Sequence, residues 1–264
     1  MASLRVDGVT LEVAWYDARG RRSAGRSSTG RPTLVLLHEG LGSVSSWRDW
    51  PATLARAAEA DVLLWSRAGY GGSDGTALPR PLDYMEREGR DVVPRVLEVA
   101  QVHRAVLVGH SDGGSISLVY AATGGRDQVA GLALLAPHVI CEDVTVAAIA
   151  RARRAYLEGD LRAKLARHHG DNTDVAFWGW NDAWLDPGFR AFDLTGYLPQ
   201  VTAPVVVIQG ECDPYGTLAQ VELIERGVSG PVRRVVLPEV GHAPQRERPA
   251  ETAQAVVALL GQVG

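Results

Sequence analysis

Short, continuously apolar segments recur along this chain and are separated by longer stretches with helical periodicity. A run without a polar face is typical of a β-strand that is buried on both sides. Such strands alternating with helices predict an α/β fold, in which a mostly parallel central sheet is flanked by helices. The clearest of these runs are residues 34–37, 62–65, 105–108, 132–135 and 205–208.

Further elements are expected on either side of these runs. Strands are predicted at 11–16 and 232–237, and a closing helix at about 249–260. The polar, Arg- and Ser-rich stretch 17–33 is predicted to be a long exposed loop. Residues 81–102 are predicted to be helical, with either a kink at Pro94 or a division into two segments, because proline cannot donate the helical hydrogen bond.

The alternation of strand and helix stops between about 137 and 204. This part of the chain shows several helical patterns and no convincing strand, and three of the seven tryptophans fall at positions 178, 180 and 184. A length of 264 residues suits a single domain. We therefore expect residues 1–264 to form one domain that contains a helical insertion at about 138–197.

Composition excludes several classes of function. The formal net charge is −4, from 27 basic and 31 acidic residues, whereas nucleic-acid binders usually carry a basic excess. No apolar run reaches the roughly 18 residues that cross a bilayer, and the N-terminus lacks the pattern of a signal peptide. Two cysteines cannot build a disulfide framework or a cysteine-only metal site. We expect a cytoplasmic protein, a monomer or homodimer, with no membrane or nucleic-acid partner and no metal.

The segment Gly-His-Ser-Asp-Gly at 109–113 lies directly between a predicted buried strand and a helix. A serine on such a tight turn is held outward at the end of the sheet, and the flanking glycines allow the backbone to approach closely. Ser111 is therefore the candidate nucleophile. The N–H of Asp112, at the start of the helix, is a candidate donor to an oxyanion.

A serine nucleophile needs a base and a group that orients the base. His242 follows the last predicted strand, and Asp213 follows the strand at 205–208. The chain order Ser111, Asp213, His242 is the one expected for this kind of turn, and all three residues come just after strands. The loop at 38–43 also follows a strand. Gly40 is our first choice for the second oxyanion donor, and Leu41 is the alternative.

Together these segments resemble the α/β-hydrolase superfamily over essentially the whole chain from Leu11. The supporting segments are His-x-Gly at 38–40, Ser-Ser-Trp at 45–47, Arg-Ala-Gly-Tyr-Gly-Gly-Ser at 67–73, the turn at 109–113, Asp213, and Gly-His at 241–242. The resemblance implies the α/β-hydrolase fold, serine catalysis without a cofactor, and an insertion that acts as a cap over the active site.

Two residues depart from the superfamily's pattern. Ser66 stands where many members have an aspartate before Arg67, so a local ion pair is expected to be missing. Glu39 stands where a second glycine is usual after His38. A carboxylate beside an oxyanion would be unfavourable, so we expect its side chain to point away.

Candidate residues for substrate binding come from the insertion and from the ends of strands. In a helix, Trp180 and Trp184 would share one face while Trp178 would point elsewhere. These rings either line the pocket or form the core of the cap. His138 and Tyr215 follow strands at the same edge of the sheet; for His138 a structural role is the favoured alternative.

The sequence thus predicts a serine hydrolase that acts on a small carboxylic ester through an acyl-enzyme intermediate. One alternative is hydrolysis of a carbon–carbon bond in a β-diketone-like or ring-opened aromatic compound. A second is a non-catalytic receptor for a small ligand. By the resemblance, a serine at position 111 disfavours dehalogenase and epoxide hydrolase activity, for which related enzymes use aspartate.

Overall fold

A nine-stranded sheet forms the centre of the protein, seen here in a computed structural model that describes residues 2–27 and 30–264. The strand order is β1-β2-β5-β4-β6-β7-β8-β9, with β3 paired to β2. The strands are β1 (Ala2–Val6), β2 (Val9–Tyr16), β3 (Arg22–Ser23), β4 (Thr33–Leu37), β5 (Val62–Trp65), β6 (Ala105–His110), β7 (Val129–Leu135), β8 (Val205–Gly210) and β9 (Val232–Leu237).

Strands β4 to β9 are parallel, and β1 to β3 form an antiparallel edge. The helices are α1 (Trp50–Ala58), α2 (Tyr84–Arg87), α3 (Val93–Val99), α4 (Asp112–Thr123), α5 (Asp143–Glu158), α6 (Leu161–His169), α7 (Thr173–Leu185), α8 (Leu218–Gly227), α9 (Pro244–Glu247) and α10 (Pro249–Val263). Short 3₁₀ turns occupy Val44–Trp47, Gly170–Asn172, Pro187–Ala191 and Thr195–Gln200.

All seven predicted strands are present, which confirms the α/β class. Strands β1 and β3 were not predicted. β1 lies at the exposed edge of the sheet and β3 has only two residues, so neither carries an apolar run that would mark it in the sequence. β3 falls within the predicted loop at 17–33; residues 28 and 29 of that loop lie outside the described residues.

Two apolar clusters cover the two faces of the sheet, because successive strand residues point to opposite sides. In β4, Val35 and Leu37 belong to one cluster, while Leu34 and Leu36 belong to the other. Both faces are therefore buried, and this explains the continuous apolar runs. Helix α4 is buried from Asp112 to Ala121, so the segment that follows Ser111 is held firmly in the core.

The helix predicted at 81–102 is divided into three parts. Residues Glu88–Val92 form a π-helical turn between α2 and α3, and Pro94 is the second residue of α3. Because proline has no N–H and crowds the preceding turn, a regular helix cannot continue through this point. The predicted interruption is thus confirmed.

Helices α5, α6 and α7 and the 3₁₀ turns up to Gln200 form the helical insertion between β7 and β8, residues 143–200. Stacked rings of Tyr156 and Phe177, with centroids 3.6 Å apart, join α5 to α7. Gln220 of α8 anchors the start of the insertion, since its amide oxygen accepts from the Val139 N–H and its amide nitrogen donates to Glu142. The start of the insertion therefore lies at the carboxyl ends of the parallel strands.

Candidate active site

The turn that carries Ser111 leaves no room for larger neighbours. Ser111 has φ 52° and ψ −118°, a left-handed conformation that a non-glycine residue adopts only when its surroundings enforce it. A Cβ on Gly109 would lie 2.5 Å from the Gly113 carbonyl carbon, and one on Gly113 would lie 2.5 Å from the Leu37 carbonyl carbon. Both glycines are thus required for the turn.

Asp213 and His242 are joined by a hydrogen bond. His242 Nδ1 lies 2.9 Å from Oδ1 and 2.8 Å from Oδ2 of Asp213, and only 1% of the Asp213 side chain is exposed. Gln209 and the Tyr215 N–H donate to the same carboxylate. Burial opposes ionisation, but the hydrogen bond and charge of His242 outweigh it and lower the pKa of Asp213. The carboxylate therefore fixes the Nδ1–H tautomer of His242.

Ser111 and His242 line the same cavity, whose volume is about 120 Å³. Within the described part of the chain, no hydrogen bond joins the Ser111 hydroxyl to His242. The other polar lining residues are Glu39, Asp112, His138 and Thr145, and the remaining wall consists of Gly40, Leu41, Ile149, Trp180, Trp184 and Tyr215. A larger open hollow of about 890 Å³, beside Trp15, contains none of these groups.

The loop after β4 is fixed by donors that converge on one carbonyl oxygen. The oxygen of Glu39 accepts from His38 Nδ1 at 2.7 Å, from Arg67 Nη2 at 3.1 Å and from the Gly42 N–H at 3.1 Å. In a trans peptide the next N–H points the opposite way, so Gly40 N–H faces away from these donors. Among the described residues neither Gly40 N–H nor Leu41 N–H has an acceptor, so both stay candidates for the second oxyanion donor.

The side chain of Asp112 forms a buried network beneath the cavity. Tyr84 donates to Asp112 Oδ2 at 2.5 Å, Trp184 Nε1 donates to the Tyr84 hydroxyl at 3.0 Å, and Arg67 Nη2 lies 3.9 Å from Oδ2. Burial raises the pKa of Asp112, and the charge of Arg67 partly offsets this. Since Arg67 is buried and permanently charged, Asp112 serves as its counter-ion.

Glu39 lies in the cavity wall and turns its carboxylate toward His110, whose Nδ1 is 3.4 Å from Oε2. His110 Nε2 donates to the His242 carbonyl at 2.6 Å, and the side-chain amide of Gln245 lies 3.0 Å from His110 Nδ1. Burial alone would raise the pKa of Glu39, but the neighbouring His110 holds it well below its usual range. Glu39 is therefore a carboxylate at neutral pH.

His138 is 2% exposed and lies between two rings of the site. Its ring centroid is 5.7 Å from that of His242 and 5.3 Å from that of Trp184. Burial, with a smaller contribution from His242, lowers the pKa of His138 to about 3. The imidazole is accordingly neutral at physiological pH.

Ser66 stands where many members of the superfamily have an aspartate, and it forms a buried hydrogen-bonded network. Its hydroxyl donates to Glu12 Oε2 at 2.7 Å and accepts from the Val44 N–H, while Gly72 N–H donates to the same carboxylate oxygen. Glu12 and Ser66 are both buried. An aspartate at position 66 would face this carboxylate, so Glu12 gives a physical reason for serine here.

The predicted substrate-binding residues separate into two groups. Trp180, Trp184, His138 and Tyr215 reach the cavity, whereas Trp178 does not line it. The Arg153 guanidinium lies over the ring of Trp178, 5.3 Å from its centroid, and the same ring packs against Tyr156. This agrees with the helical spacing, which puts Trp178 on a different face of α7.

Two residues of the cavity wall, one with a hydroxyl group and one aliphatic, were not predicted from the sequence. Thr145 and Ile149 of α5 line the cavity, and Thr145 donates to the Tyr215 carbonyl. Their spacing of four residues identifies one helical face but not the surface that this face covers. Nothing in the local sequence therefore distinguishes them from ordinary core residues.

A family model described as the alpha/beta hydrolase family matches residues 34–255. The chain belongs to this family. The match spans every strand of the parallel part of the sheet except the first residue of β4, and it includes the loop at 38–43, the turn at Ser111, Asp213 and His242. No curated protein matches the sequence.

Solved structures resemble this α/β hydrolase over nearly its whole length. The enol-lactonase from Burkholderia xenovorans LB400 has a TM-score of 0.72 and 22% identity, covering 98% of this chain and 99% of its own. A thermophilic esterase from Thermogutta terrifontis has a TM-score of 0.72 and 20% identity, and the match covers 99% of this chain and 98% of the esterase. A serine hydrolase involved in carbazole degradation has a TM-score of 0.74 and 16% identity, and the match covers 98% of each chain. At these identities the similarity establishes the fold.

Among the described residues of this hydrolase, no helix has the length and apolar character needed to cross a membrane. In the same part of the chain, no group of three or more His, Cys, Asp or Glu side chains is arranged to hold a metal ion.

Proposed function

We propose that this α/β hydrolase is a serine esterase that cleaves small carboxylic esters through an acyl-enzyme. The observation that carries the proposal is the partly buried hydrogen bond between Asp213 and His242, beside a cavity that is also lined by Ser111 on a strained turn. A base with a fixed tautomer and a serine hydroxyl that line one cavity are the groups that nucleophilic catalysis needs.

In the proposed reaction, Ser111 Oγ attacks the ester carbonyl carbon while His242 Nε2 takes the hydroxyl proton. Asp213 stabilises the resulting imidazolium. The N–H groups of Asp112 and Gly40 donate to the tetrahedral oxyanion; losing one such donor typically costs about 3–4 kcal/mol of barrier. His242 then protonates the leaving alcohol, and a water activated by His242 hydrolyses the acyl-enzyme. No step needs a metal or an organic cofactor.

A fluorophosphonate probe followed by peptide mass spectrometry tests the nucleophile. The label is expected on Ser111 and is expected to disappear in Ser111→Ala. Turnover of short 4-nitrophenyl esters, measured on the same two proteins, tests the reaction. An active protein that is labelled elsewhere, or equal turnover by Ser111→Ala, would contradict the proposal.

Two other functions predict different results with the same protein. Carbon–carbon bond hydrolysis predicts turnover of β-diketones in preference to esters. A small-ligand receptor predicts at most one modification of Ser111 per molecule. The hydrogen-bonded Asp213–His242 pair favours an enzyme, because a receptor has no use for an oriented base.

We further propose that the helical insertion acts as a cap that limits the size of the substrate. Trp180 and Trp184 of α7 and Ile149 of α5 supply much of the apolar wall of the cavity. The catalytic residues come from the sheet side, so the two parts divide chemistry and selection between them.

A further inference from the structure

A histidine of the helical insertion contacts the loop after β4. His169, the last residue of α6, is 2% exposed, and its Nε2 lies 3.0 Å from the Leu41 carbonyl oxygen. On the other side of the ring, the Gly71 N–H donates to Nδ1 at 3.0 Å. The imidazole of His169 therefore joins two loops of the sheet side that are far apart in the sequence.

The Gly71 N–H fixes the protonation state of this ring. A backbone N–H can only donate, so Nδ1 of His169 is an acceptor and the neutral ring carries its proton on Nε2. Burial lowers the pKa of His169, which favours the neutral ring. Asn172 holds the same loop, since its side-chain amide donates to the carbonyl oxygens of Gly71 at 3.1 Å and Ser73 at 2.7 Å. Nε2 is thus an oriented donor to Leu41.

Leu41 belongs to the tight turn that carries both candidates for the second oxyanion donor. The Gly42 N–H donates to the Glu39 carbonyl oxygen at 3.1 Å, so Gly40 and Leu41 are the central residues of this turn. The donors to the Glu39 oxygen hold the first peptide of the turn, which contains the Gly40 N–H, and His169 holds the last one. The middle peptide, which contains the Leu41 N–H, lies between these two held neighbours.

The insertion packs on the same turn at a second place. The ring of Trp180, in α7, lies so close to Gly40 that a Cβ at this position would overlap the indole. The turn is therefore held by Arg67 on the sheet side and by His169 and Trp180 of the insertion. The placement of the insertion and the shape of the turn are consequently linked.

We infer that His169 is a positioning residue for the oxyanion hole, which fixes the turn at 39–42 and so makes the insertion contribute to the chemical step as well as to selection. The inference rests on the proposed esterase function. His169 does not line the cavity, so it acts through the turn and not on the substrate. An oxyanion forms only on the way through the transition state, so a misplaced donor should lower kcat and leave KM nearly unchanged.

Three substitutions at His169 separate its two hydrogen bonds. His169→Phe keeps a ring of similar size and removes both bonds. The Asn amide is as many bonds from Cβ as Nδ1 is, so His169→Asn can accept from Gly71 without reaching Leu41. The Gln amide is as many bonds from Cβ as Nε2 is, so His169→Gln can donate to the Leu41 oxygen. His168→Gln, at the half-buried neighbour whose Nδ1 lies 2.8 Å from Ser45 Oγ, is the matched control.

Steady-state kinetics on a short 4-nitrophenyl ester at neutral pH give the first readout. We expect kcat to fall at least about tenfold in His169→Phe and His169→Asn with KM changed less than about twofold, because only the transition state loses a donor. His169→Gln should exceed His169→Asn in kcat by about fivefold or more, and His168→Gln should match the unaltered protein. The inhibition constant of a trifluoromethyl ketone, which forms an oxyanion when Ser111 adds to it, should rise by the same factor as kcat falls.

Unchanged kcat in His169→Phe, or a raised KM in place of a lowered kcat, overturns the inference and leaves the esterase function standing. Equal loss of kcat in His169→Asn and His169→Gln, with equal stability in urea, likewise overturns it. This comparison decides the matter if His169→Phe does not fold. If the unaltered protein cleaves no ester, the esterase proposal fails and the inference fails with it.

Discussion

Single residues determine the geometry of this site through a few short contacts each. Asp213 accepts from His242 Nδ1, from Gln209 and from the Tyr215 N–H, so its carboxylate is fully engaged. Burial opposes its ionisation, but His242 keeps its pKa below the usual range. Asp213 consequently remains charged at any pH at which the protein would be assayed.

Asp213→Asn is expected to lower kcat/KM for a cleaved ester by about 10⁴, because an amide cannot hold His242 in the same tautomer. The measurement is steady-state kinetics on the folded variant. Glu211→Gln, the neighbouring exposed carboxylate, serves as the matched control and should retain activity. A loss smaller than tenfold in Asp213→Asn would mean that another carboxylate orients the base.

Ser66 leads to a second expectation at the same scale. Ser66→Asp is expected to destabilise the protein by about 3 kcal/mol or more, because the new carboxylate would face the buried carboxylate of Glu12. Ser66→Ala removes the hydroxyl alone and should cost less, about 1–3 kcal/mol. Urea unfolding of both variants gives the comparison; equal stability of the two would refute the charge argument.

At the scale of elements, α7 presents different tryptophans to different surroundings. Trp180 lines the cavity, Trp184 lines it and also donates to Tyr84, and Trp178 packs outside it against Arg153 and Tyr156. The helix thus joins the core of the insertion to the wall of the site. The period of 3.6 residues places Trp180 and Trp184 on one face and Trp178 on another, and packing decides which face lines the cavity.

Trp180→Ala is expected to change the ratio of kcat/KM between a short aliphatic ester and a bulkier aromatic ester about tenfold, or about 1.4 kcal/mol, while the protein stays folded. Trp178→Ala is the matched control and should leave that ratio unchanged. Trp184→Ala should lower stability by about 3–5 kcal/mol, because the ring is 2% exposed and packs on Phe189. An unchanged ratio in Trp180→Ala would assign specificity to Tyr215 or His138.

At the scale of the whole molecule, several histidines are buried in neutral form. Burial lowers the pKa of His138 to about 3, and it also lowers the pKa values of His38 and His169. An unfolded histidine titrates near 6.5, so below that pH the unfolded chain binds more protons than the folded one. The folded state must therefore lose stability as the pH falls from 6.5 toward 3.

For His138 alone this loss amounts to about 2 kcal/mol between neutral pH and pH 5. In His138→Gln, unfolding free energies measured in urea at pH 7.5 and pH 5 should differ by about 2 kcal/mol less than in the unaltered protein. His103→Gln, at an exposed histidine, should show the unaltered difference. The same pH sensitivity in His138→Gln and in the unaltered protein would show that His138 does not stay neutral.

The sequence indicated the parallel sheet, since continuous apolar runs such as 34–37 and 62–65 are typical of strands buried on both faces and recur between helical patterns. It also singled out Ser111, Asp213 and His242 as candidates, because the glycine-flanked turn and the ends of strands are local features. It did not reveal β1, whose side chains are mostly exposed and whose pairing is set by β2.

Only the tertiary structure decided which groups from distant segments meet. The turn of Glu39 toward His110, the engagement of Asp112 Oδ2 by Tyr84 and Arg67, and the entry of Thr145 and Ile149 into the cavity each join residues far apart in the chain. Such contacts depend on the relative position of elements, which periodicity does not encode. Periodicity reports which face of an element is buried, whereas the identity of the opposing surface arises from packing.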